Sequence, residues 1–223
     1  AKQIKKVEHA IPKHVDYIFT LSYSDQEYFK KIHPTKTIHI PVTFEIEKIN
    51  TLKITNSIAH LGAMDWKPNI EGVDWFLEKV KPKIKGGDVK IYIAGKNMPK
   101  KYFKYQNTRT IIEGKIDNAK DYIKNKEIIF VPLFSGSGIR IKILEAMALG
   151  IPIISTSKGA HGIPYENKKN ILIADNACEF QEAICLLIRN KQLAKNIGYE
   201  GQKLILNHFS HKSVNNKLSR ILG

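Results

Sequence analysis

Between Ser135 and Glu145 the chain reads SGSGIRIKILE, and this short run concentrates groups suited to one chemical use. Gly136 and Gly138 flank Ser137 ahead of a helical stretch expected over about Ile139–Leu149. Arg140 and Lys142 stand in that helix's first turn, with Glu145 a turn later. Glycines let an oxyanion approach the backbone, which side chains would otherwise block. A helix N-terminus adds unpaired N–H groups and the positive end of its dipole. Two cations at such an end cost up to about 1 kcal/mol on a bare helix, and a bound anion offsets that cost. The chemistry these residues suit is a phosphate or diphosphate cradle. A plain βαβ unit with a solvated Arg and Lys is the alternative from this segment alone.

The elements around the run support a cradle at a sheet edge. An apolar strand, Ile128–Val131, leads into Pro132; after the helix, Gly150 and Pro152 open a second buried strand through Ser155. Further strands are expected at Ser57–Gly62, Val89–Ala94, Arg109–Ile112 and Ile171–Ile173. Helical periodicity fills the intervals at Asn69–Ile84, Pro99–Tyr105, Asn118–Lys124, Cys178–Arg189 and Lys191–His208. Six strands alternating with helices predict an α/β fold, a doubly wound Rossmann-like parallel sheet. Ligands of such sheets lie beyond the C-terminal strand ends. Residues 1–42 fall outside that unit: Val15–Ser22 and Ile38–Val42 read as extended, and Ser24–Ile32 as a helix capped by Ser24. Ser210–Leu222 reads as an amphipathic helix through Val214, Leu218 and Ile221, capped by Ser210.

Composition narrows the class. An apolar fraction of 43% over 223 residues suffices for one core, and no run approaches the ~18 apolar residues of a membrane span. The opening AKQIKKVEHA lacks the pattern of a secretory signal. Cys178 and Cys185, seven apart on one helix, would lie roughly 10 Å from each other. That separation excludes a disulfide, so they are expected as core thiols of a cytoplasmic protein. The net charge of +15 is spread over the chain without a nucleic-acid motif, so no nucleic acid is expected. A basic surface of this kind suits anionic substrates, or peripheral contact with the inner face of a membrane. The eight histidines are scattered, and the i, i+3 pair His208/His211 has no carboxylate beside it in sequence, so no metal site is expected.

GSGIRIKILEAMALGIPIIST (Gly136–Thr156) resembles the donor-domain signature of GT-B-fold retaining glycosyltransferases of the family 4 type, glycosyl transferases group 1, in the form E-G-F-G-x-P-x-x-E-A-M-A-x-G-x-P-V-V. Three further segments agree in order. HLGAMDWKPNIEGVDWF is similar to the glycine loop after the first strand. VKIYIAGK followed by IIEGKIDN resembles the second strand and the "G-x-V" turn. VDYIFTLSYSDQEYFKKI with IHIPVT resembles the end of the acceptor-side domain and its connection.

The resemblance implies three parts: residues 1–42 as the tail of an N-terminal acceptor-side domain and its connection, 43–208 as a nucleotide-sugar donor-binding domain, and 209–223 as a C-terminal helix. It implies a UDP- or GDP-sugar donor and a glycan or lipid-linked acceptor, with no metal and no other cofactor. Glu145 falls on the residue that holds the ribose hydroxyls. Gly136, Ser137, Gly138, Ile139 and Arg140 fall at the diphosphate, Gly62 and Ala63 form the facing loop, and Gly114, Lys115 and Ile116 line the base. Arg140 and Lys67 are the cations expected to meet charge developing on the leaving diphosphate, and His161 sits in a loop at the ligand edge.

Two positions depart from the pattern. Ser137 occupies the place of a sugar-reading carboxylate, and Ala63 stands where many members carry Arg; both match a G-S-G-x-R-x-K subpattern. With only about forty residues of the acceptor side, the chain alone is expected to bind donor but transfer poorly. A non-catalytic sugar-nucleotide-binding module and a GT-B-fold sugar-nucleotide epimerase are the alternatives.

Overall fold

The computed structural model describes residues 6–8, 10, 14–47, 51–85 and 88–222, so part of the N-terminal AKQIKKVEHA stretch lies outside the described residues. The first unit is a small parallel pair, β1 (Ile18–Thr20) and β2 (Thr37–His39), joined by helix α1 (Tyr23–Lys30). Helix α1 begins one residue after Ser22, whose hydroxyl accepts from the Asp25 amide at 3.1 Å and donates to the Asp25 carboxylate at 2.6 Å. This reciprocal bond moves the cap from the expected Ser24 to Ser22.

The second unit is a six-stranded, wholly parallel sheet. Its strands are β3 (Ser57–Leu61), β4 (Lys90–Ala94), β5 (Thr110–Glu113), β6 (Ile128–Val131), β7 (Ile153–Ser155) and β8 (Leu172–Ile173), in the order β5-β4-β3-β6-β7-β8. The chain winds outward from β3 to one edge, then returns to β6 and winds to the other. This is the expected doubly wound sheet, with its switch point between β3 and β6. Buried on both faces, β6 reads IIFV without alternation. Phe76, Phe130 and Phe180 pack on one side of the sheet; Ile129, Val131, Leu144, Met147 and Phe209 pack on the other.

The helices that matter to the site flank the switch point. Helix α2 (Lys67–Trp75) carries Pro68 at its second position, where a missing N–H costs nothing. The single helix expected over 69–84 instead widens into a π-type turn at Phe76–Val80 and tightens at Lys81–Lys83. Pro82 has no N–H for the Glu78 carbonyl, so a regular α-helix cannot continue there. A 3₁₀ turn (Lys100–Tyr105) follows β4, and α3 (Ala119–Lys124) follows β5 with Asn118 as its cap. Helix α4 (Ile141–Ala148) connects β6 to β7 and starts two residues later than expected, because Arg140 is still extended.

Helices α5 (Ala177–Arg189), α6 (Lys191–His208) and α7 (His211–Leu222) complete the chain. Ser210 caps α7 through the Ser213 amide. The Phe44 amide donates to the Phe209 carbonyl at 2.7 Å, fastening the connection after β2 to the junction of α6 and α7. The cysteine expectation is corrected here: Cys178 is exposed and Cys185 half-buried, both as free thiols. The α5 stripe that meets the core runs through Phe180, Ile184 and Leu187, which turns the two cysteines away from it.

Gly72 fixes how closely α2 approaches the loop after β6, since a Cβ there would lie 2.1 Å from the Pro132 carbonyl oxygen. Gly72→Ala is expected to lower unfolding free energy by about 1–3 kcal/mol through overpacking. Equilibrium urea unfolding measures this, and an unchanged midpoint would contradict the close packing described.

Candidate functional site

Three loops leave the C-terminal ends of adjacent strands and are laced by continued sheet-like bonds. Gly62 N–H donates to the Ala94 carbonyl at 3.0 Å, Met64 N–H to Lys96 at 2.9 Å and Gly95 N–H to Gly114 at 3.0 Å. The expected Gly62–Ala63 loop and the Gly114–Ile116 turn are therefore joined through Gly95, which the sequence reading had not singled out. Gly95 is forced: a Cβ there would sit 1.7 Å from the Gly62 carbonyl oxygen.

The loop after β6 faces them across the switch point. Gly136 and Gly138 have φ of +94° and +80°, left-handed values that suit glycine. They fold residues 135–139 so that Arg140 turns back over its own loop. Its guanidinium donates to the carbonyls of Ser137, Gly138 (2.9 Å) and Ser135 (3.3 Å), and lies 5.1 Å from the Trp66 ring centroid. Arg140 is 6% exposed. The residue expected to reach out to a diphosphate is thus folded into the loop's interior, stacked on an aromatic of the facing loop. No side chain caps α4, leaving its N-terminal amides uncovered by a cap residue.

Lys142 takes the more central place. Its ammonium donates to Asn69 Oδ1 at 3.1 Å, and Asn69 Nδ2 in turn donates to the Ala63 carbonyl at 2.8 Å. A Cβ on Gly62 would lie 2.7 Å from both Lys142 Nζ and Asn69 Nδ2, so glycine is what lets these groups pass beneath the loop. Lys142 is half-buried as a residue, and its ammonium end is deeply packed. Burial, reinforced by Arg140 and partly offset by Glu145, pulls it down to about 7. Nearby His60 is fully buried, with Nδ1 against the Phe130 carbonyl at 3.1 Å. Burial first, then Lys142, push it well below its ordinary range, so it stays neutral. Glu145 lies three residues beyond Lys142 on the same helix face, and its carboxylate forms neither ion pair nor hydrogen bond among the described residues. The ordinary Lys–Glu ion pair that would make it structural is not formed.

The model of one protein family, described as Glycosyl transferases group 1, matches residues 55–190. The chain belongs to this family. An uncharacterized 44.6 kDa protein in the cps region of Klebsiella pneumoniae is 26% identical over 189 residues, covering 79% of this chain and 48% of that protein. Among solved GT-B glycosyltransferase structures, S. aureus TarM, in a mutant form with fondaparinux, α-GlcNAc-glycerol and UDP, superposes with a TM-score of 0.80 at 16% identity. It covers 97% of this chain and 46% of TarM. Anabaena HepE with UDP and glucose gives 0.70 at 16% identity, over 93% and 63%. The chain therefore spans about half the length of the Klebsiella and TarM proteins.

Within this member of the family, the remaining expected residues divide. Gly114 and Lys115 are exposed and Ile116 half-buried at the mouth, and Ser137, Gly138 and Ile139 form the rim opposite. Lys67 lies outside the crevice interior: its side chain is 85% exposed and pairs with Glu71 at 3.6 Å, while Glu71 accepts from Ser135 Oγ at 2.8 Å. It belongs to a polar strap between the two loops. His161 is exposed in the loop after β7. His211 has one carboxylate, Glu45, at 4.0 Å, and among the described residues no three His, Cys, Asp or Glu converge as metal ligands. No helix among them is long and apolar enough to cross a membrane. Asn69 and Gly95 were not singled out as site residues, although WKPN and IAGK carry them in the sequence.

Lys142 links this geometry to stability. Unfolded, it takes up a proton up to its ordinary value near 10.5; folded, only up to about 7. Between those values the unfolded state holds more protons, so this group's contribution to stability rises with pH and is lost as pH falls to 7. The stability difference between wild type and Lys142→Met is expected to grow in favour of wild type by about 2 kcal/mol from pH 7 to pH 9. Urea unfolding of both proteins across that range measures it; a flat difference would remove the buried-ammonium assignment.

Proposed function

We propose that the chain is the donor-binding portion of a glycosyltransferase that moves a sugar from a nucleotide-diphosphate sugar to a glycan or lipid-linked acceptor with retention. The observation that carries this reading is Lys142, held by Asn69 beneath Gly62 at the switch point, beside an uncapped helix N-terminus. A buried ammonium with no carboxylate in ion-pair contact is electrostatically incomplete, and a diphosphate completes it. In this reading Lys142 contacts the diphosphate directly. Amides around Gly138–Ile141 contribute donors, and Arg140 holds the loop in shape while lending its charge from behind. Glu145 accepts the ribose hydroxyls, and Gly114, Lys115 and Ile116 line the base. Lys67 and His161 act at the rim, on the outer phosphate or the sugar.

Transfer then proceeds as the bond from the anomeric carbon to the diphosphate oxygen breaks and the acceptor oxygen bonds that carbon on the same face. The diphosphate leaves with the electron pair, and the acceptor's proton passes to the diphosphate oxygen released from the anomeric carbon. The chain's task is to stabilise negative charge as it develops there. Of UDP and GDP donors, UDP is favoured by the two similar structures solved with it. The relation to a cps-region protein supports a role in assembling surface polysaccharide. The chain's own cations meet the diphosphate charge, so a chelator is not expected to weaken binding.

Calorimetric titration with UDP, GDP and ADP tests the site. Glu145→Ala and Lys142→Met are each expected to weaken the preferred nucleotide by about tenfold or more. Affinity for none of the three, or affinity indifferent to both substitutions, would defeat the reading. At pH 8 binding is also expected to draw a proton onto Lys142. Apparent binding heats should then vary with the buffer's ionisation enthalpy in wild type but not in Lys142→Met.

The non-catalytic alternative rests on Ser137 in the carboxylate position and differs in turnover alone. With the 223-residue chain, donor binding without appreciable transfer is expected. Full turnover by the chain would show that it needs no further acceptor-side domain.

A further inference from the structure

The N-terminal ends of β4 and β5, at the other edge of the sheet from the donor loops, hold an arrangement that sugar transfer leaves unused. A cavity of about 90 Å³ opens there, walled by Ile84, Val89 and Ile91 and lined on its polar side by Lys81, Asn107, Arg109 and Thr110. Thr110 is the register partner of Ile91, is 1% exposed, and has a hydroxyl with no hydrogen-bond partner. A buried hydroxyl left unpaired is costly, and native proteins seldom leave one without a role. Asn107 shapes the turn in front of it, its Oδ1 accepting from the Arg109 and Thr110 amides at 2.9 Å each.

The cations around this cavity are uncompensated. Among the described residues Lys81, Lys104 and Arg109 form no ion pair with any carboxylate. Lys81 and Lys104 both lie by the Tyr105 ring, 5.4 and 5.0 Å from its centroid, so two ammonium groups share one aromatic ring. Burial pushes the Lys81 ammonium below its usual range, and Arg109 pushes it the same way. Like charges gathered at a half-buried mouth repel one another unless an anion sits among them.

We propose that Lys81, Arg109 and the Thr110 hydroxyl form a binding site for a phosphate-type oxyanion. Thr110 donates from the inner end, Arg109 offers a two-pronged contact at the mouth, and Lys81 supplies charge from the side. The strand length of five residues, about 16 Å, separates this site from the C-terminal strand ends where the donor loops lie. The site is thus spatially separate from the donor loops. The same phosphate chemistry is offered by the free ion and by an anionic lipid headgroup. Exposed Phe103, next to Lys104, would meet the acyl boundary in the second case.

Calorimetric titration of inorganic phosphate into the 223-residue chain, at ionic strength balanced with chloride, is the primary test. Saturable binding is expected, about tenfold weaker in Lys81→Gln and in Arg109→Gln, and retained in Lys142→Met, which removes only phosphate held at the donor loops. Arg109 is exposed, so its substitution leaves the fold intact. Thr110→Val is expected to weaken phosphate binding while raising the melting temperature without phosphate, because it removes an unpaired buried hydroxyl.

Sedimentation with phosphatidylcholine vesicles, with and without phosphatidylglycerol, separates the sources. Binding to the anionic vesicles that both Lys81→Gln and Arg109→Gln abolish assigns a lipid headgroup; free-phosphate binding without vesicle binding assigns the ion. Wild type that binds neither probe overturns the proposal. So does binding that is insensitive to Lys81→Gln and Arg109→Gln, or that Lys142→Met abolishes.

Discussion

Lys142 donates to Asn69, and Asn69 donates to the Ala63 carbonyl, so a short chain of bonds from α4 through α2 holds the loop after β3 in place. Much of the cleft depends on this contact at the switch point. It requires glycine at 62, because any side chain there would strike both polar groups. It requires α2 to start directly after the loop, which Pro68 assists, and α2 to pack against Pro132, which Gly72 permits. Gly62, Ala63, Pro68, Asn69 and Gly72 sit on the β3 side, Pro132 and Lys142 on the β6 side. The ammonium that joins them is also the cation placed to feel an arriving negative charge.

Arg140 and Lys142 divide two duties that one sequence motif could not separate. Both are basic, two residues apart, and near the start of α4, so from the letters alone either could face a ligand. The extended backbone at Arg140 decides the matter. It delays the helix and turns the guanidinium back over three carbonyls of residues 135–138 and onto Trp66. A loop with two left-handed glycines is soft, and a buried, stacked arginine stiffens it. The shorter-reaching lysine, one step further along the helix, passes inward under Gly62.

The sheet was legible because its strands are continuous apolar runs and its crossovers carry helical periodicity; all six strand positions emerge from those signals. The glycine loops were legible because only a few residue types permit such a backbone. What stayed hidden depends on contacts between distant segments. Asn69 resembles any helix-start asparagine until Lys142 arrives beside it. The cysteines of α5 look like core thiols until Phe180, Ile184 and Leu187 claim the inner stripe. Lys67 differs, since its partner Glu71 stands only one helical turn away and the i, i+4 spacing carries that pair in the sequence. Pattern locates elements; it does not reveal which of two similar side chains a neighbour will claim.

The winding order of the sheet has a temporal consequence. Strands β3 and β6 are adjacent in space, yet the two sides of the cleft meet through residues 73 positions apart, Asn69 and Lys142. Everything wound outward to β5 must be made before β6 and α4 leave the ribosome. At about 5–20 residues per second, the interval is roughly 4–15 s. During it the exposed edge of β3 awaits its partner. A chain interrupted anywhere before α4 would carry a half-built sheet whose β3 loop lacks the lysine that ties it down.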